Sequence, residues 1–193
     1  MIAGHFGFAA GAKGAEPCAP LWALMLATVW LDVVFVPLFA AGIETIEPIP
    51  GTNGGYGNGI IHADYTHSLV GALILAVLFG FVAAIPWARR IGVVLGAVVF
   101  SHWVLDLIVH HPDLPILPGD AAGLPRLGFG LWQYPLVSAV VEATLVIGGA
   151  YLYWRAATGV ERATGGKESR ASVLAGLILV AGILTLGLDL LAV

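Results

Sequence analysis

The amino-acid sequence predicts an all-α, polytopic integral membrane protein, with about five transmembrane helices preceded by an N-terminal half-helix. Three observations predict it. The 193 residues are 59% hydrophobic and 10% charged, with a mean hydropathy of +0.95. A soluble domain carries about 25% charged residues, so this chain cannot cover a water-facing surface. Several apolar runs reach the roughly 20 residues a helix needs to cross the hydrocarbon core. Threading those runs through a bilayer puts Lys13, Arg89, Arg90, Arg155, Arg162, Lys167 and Arg170 on one side and only Arg126 on the other.

Taken in order, Ile2 to Ala12 is apolar but too short to span, and Pro17 and Pro20 break the chain behind it. Residues 1–19 therefore read as a half-helix and turn. The spans run approximately from Leu21 to Ile43, His67 to Trp87, Ile91 to His110, Trp132 to Trp154 and Ser172 to Leu191. Residues 44–66 and 111–131 contain "EPIPGTNGGYGNG" and "HPDLPILPGDAAGLPRLGFG", Gly/Pro-rich stretches that read as outer loops. The connection at Arg89 and Arg90 is tight. Residues 155–171, in "RAATGVERATGGKESR", read as a polar cytoplasmic loop. Trp87, Trp132 and Trp154 fall at span ends, where interfacial anchors lie. No internal repeat or low-complexity tract appears, and residues 1–193 read as a single transmembrane domain.

The cationic side is expected in the cytoplasm. That puts the N-terminus on the cytoplasmic side, and both long loops and the C-terminus on the outer side. A formal net charge of −4 argues against nucleic acid as a partner. Cys18 is the sole cysteine, which excludes an internal disulfide and a thiolate zinc cluster. The N-terminus has no basic residue before its apolar run and makes a poor signal peptide. The glycine-rich loop lacks a G-x-x-x-x-G-K pattern, so it does not read as a phosphate cradle.

Charges within this apolar chain are the informative residues, because burying one in hydrocarbon costs about 2.5–3.5 kcal/mol or more. Asp32, His67, His102, Asp106 and Glu142 lie inside spans or at their edges. His102 and Asp106, at i and i+4, share a helix face, and His110 continues the stripe. A rise of about 1.5 Å per residue places these groups, with His5 of the half-helix, in the middle or outer half of the membrane. Neutral imidazoles and carboxylates from different helices are a common way to hold a divalent metal. Zinc fits such a nitrogen and oxygen set best; manganese and iron also fit. A metal enclosed there can lower the pKa of water and supply a nucleophile at neutral pH.

In "HADYTHS", His62 is expected on the loop and His67 in the first turn, with Asp64 as a helix cap. His110, His111 and Asp113 read as interfacial or loop-structuring. Glu142, mid-span without a near neighbour in sequence, reads as a ligand, a general base or a partner to a histidine. The bland alternative for any one histidine is a helix–helix hydrogen bond.

"GHFGFAAGAK", an Asp near the end of the first long helix, "HADYTHS" and "SHWVLD" resemble the bacterial inner-membrane metal-dependent hydrolases, also labelled LexA-binding, inner-membrane-associated hydrolases. That family's pattern is Gly-His, Pro-Asp-x-Asp, His-Arg-Gly-x-Thr-His-Ser and Ser-His-x-x-x-Asp. The resemblance covers most of residues 1–154 and implies a site of His5, Asp32, His62, His67, His102 and Asp106 in a bacterial inner-membrane protein. "WLDVVF" has one carboxylate where the family has two, and His62 is followed by "AD" in place of "RG". "HHPDLPILPG" and "GFGLW" also resemble small bacterial membrane proteins, some labelled permeases.

The expected activity is hydrolysis of a lipid-like or amphipathic substrate by metal-activated water, with Glu142 or an outer-shell carboxylate as base and the lipid bilayer as surroundings. Three alternatives use the same residues. A transporter or ion relay would pass protons or metal along the His and Asp groups. A haem or pigment subunit would use His67 and His102 as axial ligands. A non-catalytic subunit would pair with partner membrane subunits.

Overall fold

A computed structural model describes residues 1–49, 57–166 and 169–191. Lys167 and residues 50–56 of the first long loop lie outside the described residues. Helices dominate: α1 (Ile2–Ala15), α2 (Leu21–Thr28), α3 (Trp30–Ala40), α4 (Leu69–Ala83), α5 (Arg89–Val109), α6 (Pro135–Thr164) and α7 (Ser169–Leu191). A short antiparallel ribbon, β1 (Thr45–Pro48) with β2 (Gly59–His62), joins α3 to the segment before α4.

Among the described residues, α5, α6 and α7 are each long and apolar enough to cross a membrane. The expected first span is instead α2 and α3, apolar enough together but bent by 48°. Val29 breaks the helix with φ −113° and ψ 14°. Thr28 explains the break: its hydroxyl donates to the His5 carbonyl (2.9 Å), and its carbonyl accepts from His102 Nδ1 (2.7 Å). A carbonyl that would serve the helix ladder is turned toward the site.

The expected second span is shorter than its apolar run. α4 is 15 residues, about 22 Å at 1.5 Å per residue. It starts after His67 because Ser68 caps it, its hydroxyl accepting from Gly71 N at 3.0 Å. Asp64, expected as the cap, pairs with Arg126 instead. The first free N–H groups of α4, on Leu69 and Val70, donate to Pro115 and Ile116 carbonyls of the second long loop. Residues 155–164, expected as loop, continue α6. They are rich in helix-forming Ala, Arg and Glu, and the helix ends only where Gly165 adopts φ 70°.

Glycine sets the helix spacing. α1 lies against α6 with Gly7 pressed onto the backbone of Leu145 and Val146 and onto Gly149. α4 and α5 approach in the same way, through Gly80, Gly92 and Gly96. Between helices in lipid, such small-residue contacts supply the packing that a hydrophobic effect cannot. The main core gathers Leu24, Leu31, Leu95, Val99 and Trp103. The outside stays apolar: Phe81, Ile85 and Leu136 are each more than 70% exposed.

Candidate metal centre

The site forms where α1, α3 and the C-terminal half of α5 meet the segment before α4. His5, His67, His102, Asp106 and His110 are buried, while the Asp32 side chain keeps 43% of its surface exposed at the mouth. They line a cavity of about 310 Å³ whose remaining wall includes Met1, Ile2, Phe35, Ile46, Ile61 and Trp132. Polar and apolar side chains thus share one cavity wall.

Asp106 is the hub. Its Oδ2 is 2.9 Å from His102 Nε2, 3.7 Å from His67 Nε2 and 3.8 Å from His110 Nε2, and its Oδ1 is 3.1 Å from His5 Nε2. Asp32 Oδ1 lies 3.5 Å from His67 Nε2 and 3.6 Å from His102 Nε2. The two Nε2 atoms of His67 and His102 are 3.3 Å apart. Adjacent donors on a tetrahedral sphere of about 2.1 Å radius are roughly 3.4 Å apart. The five separations linking His67 and His102 to each other and to Asp32 and Asp106 therefore bracket a metal-sized gap. The triads Asp32/His67/His102 and His5/His102/Asp106 both have donor atoms close enough to hold an ion.

Hydrogen bonds behind the rings set their tautomers. A carbonyl only accepts, so His102 Nδ1 carries a proton and donates to Thr28 O. The single hydrogen of the Thr66 hydroxyl is directed to the Glu44 carboxylate, at 2.9 Å from Oε2, so His67 Nδ1 donates to Thr66 Oγ1 at 2.8 Å. His110 Nδ1 donates to Asp113 Oδ1 at 3.0 Å, and Asp113 Oδ2 accepts from Ile61 N. With Nδ1 committed as a donor, all three rings turn Nε2 toward the cavity, and a neutral ring there offers its in-plane lone pair. His67 is further held by Trp103 Nε1, which donates to its carbonyl at 2.9 Å. His5 stacks on His102 with ring centres 3.9 Å apart, and its buried Nδ1 has no hydrogen-bond partner among the described residues.

The arrangement is unstable as a set of bare acceptors. With both rings neutral, two Nε2 lone pairs would meet at 3.3 Å beside two carboxylates. Positive charge, from shared protons or from a cation, must offset the carboxylates, and buried His and Asp groups in this geometry can hold a metal ion.

The expected residues divide as follows. His5, Asp32, His67, His102 and Asp106 come together. His62 does not: it lies on β2, one-third exposed, with Nε2 3.6 Å from Glu47 Oε2. Glu142 is buried, but it does not line the cavity; it accepts from Gly4 N at 3.0 Å, tying α6 to α1. His110, expected in a loop-structuring role, caps α5 and belongs to the cavity wall. Trp132, expected as an interfacial anchor, is buried with its ring 4.3 Å from His110. Sequence reasoning gave no role to Thr28, Glu44 or Thr66; Thr28 and Glu44 are unusual in neither type nor spacing, whereas Thr66 stands in the Thr-His-Ser motif.

Arg126 closes the second loop over this end. It donates to Asp64 (2.9 Å), Asp120 (3.2 Å) and the Asp113 carbonyl (2.9 Å). Partial burial works against its charge, but the Asp64 and Asp120 carboxylates outweigh this and raise its pKa above the ordinary arginine value. The chain matches no protein-family model, no curated protein and no solved structure.

Proposed function

We propose that this chain is a membrane-embedded, metal-dependent hydrolase of the type its motifs resemble. A single divalent ion, zinc by the chemistry of the donors, is held by Asp32, His67, His102 and Asp106. The observation that carries this is the pair of Nε2 atoms 3.3 Å apart, each on a ring whose Nδ1 is committed as a donor. His5 takes the other oxygen of Asp106 and fixes that carboxylate. One ion suffices, because His102 Nε2 has a single lone pair and cannot serve both triads.

When bound, the ion supplies a Lewis acid and lowers the pKa of water toward ~7. The chain's own residues do the rest. Asp32, at the open side, is the group a substrate meets first. His110, oriented by Asp113, faces the cavity beside Asp106 and is placed to take up a proton there. Phe35, Ile46 and Ile61 give the cavity wall an affinity for an apolar chain, which favours a lipid-like or amphipathic substrate. The protein then has five spans, with α2–α3 as one bent span and α4 extended at its ends by the residues around His67 and Trp87. The basic ends lie in the cytoplasm of a bacterial inner membrane, and the site opens toward the outer face.

The test is product analysis. Metal-stripped protein is reconstituted in vesicles of mixed ester, phosphoester and amide lipids, zinc is restored, and lipids are analysed by mass spectrometry. Cleavage that requires zinc and is absent in His102→Ala supports the reading. Stoichiometric zinc with no cleavage of any class, and zinc flux across the vesicle instead, refutes the hydrolase and favours transport.

A further inference from the structure

Behind His67 runs a hydrogen-bond chain that ends in a fully buried carboxylate, Glu44. Its Oε1 accepts from the backbone N–H groups of Tyr65 and Thr66, both at 2.8 Å. The Thr66 hydroxyl lies 3.1 Å from Oε1 and 2.9 Å from Oε2. That hydroxyl in turn accepts from His67 Nδ1. Among the described residues, no Lys or Arg forms an ion pair with Glu44, so its burial is not repaid by a cation of the chain. Every group around it donates, and the last donor is a histidine of the metal set.

We infer that Glu44 and Thr66 are the positioning residues that give His67 its metal-binding tautomer. The inference rests on the metal reading above. Glu44 orients the Thr66 hydroxyl, the hydroxyl holds the ring proton on Nδ1, and the Nε2 lone pair is thereby aimed at Asp32 and His102. Such outer partners raise ligand basicity as well as fixing the ring, and their loss costs about 10–100-fold in metal affinity.

The discriminating change is Glu44→Gln, which preserves shape. Its amide oxygen takes the place of Oε1 on the two backbone N–H groups. Its NH₂ then stands where Oε2 was and donates to Thr66 Oγ1. The Thr66 hydrogen is turned toward His67 Nδ1, and the ring proton moves to Nε2, where it blocks the lone pair.

The experiment uses the whole chain in detergent. Zinc affinity is measured by competition with a chromophoric chelator, and the visible spectrum of cobalt-loaded protein reports the donor set. Glu44→Gln and Thr66→Val are expected to bind zinc about 10–100-fold more weakly with an altered cobalt spectrum, while Thr66→Ser stays close to wild type. Melting of the metal-free proteins checks folding. If Glu44→Gln and Thr66→Val bind zinc as the wild type does while His67→Ala does not, the positioning role is wrong and the metal site survives. If His67→Ala and Asp106→Asn also bind as the wild type does, the metal reading itself fails.

Discussion

Gly7 links the packing of the bundle to the geometry of its site. Substitution by Ala would put a methyl 2.5 Å from the Leu145 carbonyl carbon and oxygen and 2.6 Å from Val146 N. All three are rigid backbone atoms, and carbon contacts relax at about 3.5–4.0 Å. α1 must therefore move off α6 by roughly 1 Å, and His5 lies two residues away on the same helix. Its 3.1 Å contact with Asp106 would open beyond hydrogen-bond range. Gly11 provides the control, because a methyl there meets its nearest neighbour at 3.6 Å, an ordinary contact. Both substitutions gain the same helix propensity of about 0.8–1.0 kcal/mol, so their difference isolates the overlap. Overpacking of this kind costs about 1–3 kcal/mol, which at roughly 2–4 °C per kcal/mol separates the two melting temperatures by about 2–12 °C. Thermal unfolding in detergent, with metal content measured on the same samples, is the assay. Equal melting and equal zinc retention for Gly7→Ala and Gly11→Ala would refute the close α1–α6 contact and its support of His5.

Other consequences are as specific. His102→Ala and Asp106→Asn should each abolish retained zinc in elemental analysis, whereas His62→Ala, remote from the cluster, should leave it unchanged. Chelation should lower the melting temperature, since free zinc at 100 times its Kd stabilises by about 2.7 kcal/mol; the same drop in Asp106→Asn would show that zinc is not the stabiliser. Arg126→Ala removes charge-assisted bonds to Asp64 and Asp120, at a cost of about 1–3 kcal/mol. Hydrogen exchange should then quicken in residues 111–128 and leave α6 and α7 unchanged. Ser68→Ala should cost about 0.5–2 kcal/mol by removing the α4 cap.

The apolar, helical class and most of the buried His/Asp cluster are legible in the sequence for one reason. His102, Asp106 and Asp32 are expensive in hydrocarbon, so their presence in apolar runs is a signal that no alignment is needed to read. Long-range geometry leaves no such signal. Nothing local to Glu142 shows that it serves Gly4 on another helix, or that His62 turns toward Glu47 on the ribbon. Glu44 reads as an ordinary loop acid, because burial there depends on N–H groups 21 and 22 residues away. The break at Val29 carries no proline or glycine; it follows from Thr28 turning toward His5 and His102, which only the folded chain brings near. α6 outruns its apolar segment because helix propensity, not hydropathy, decides where a helix stops.

Anomalous diffraction at the zinc edge, on crystals of zinc-loaded protein, tests the centre most directly. One peak is expected about 2.0–2.2 Å from His67 Nε2, His102 Nε2 and the carboxylates of Asp32 and Asp106. An ordered cluster with no peak, its imidazoles and carboxylates joined through shared protons alone, would contradict the account.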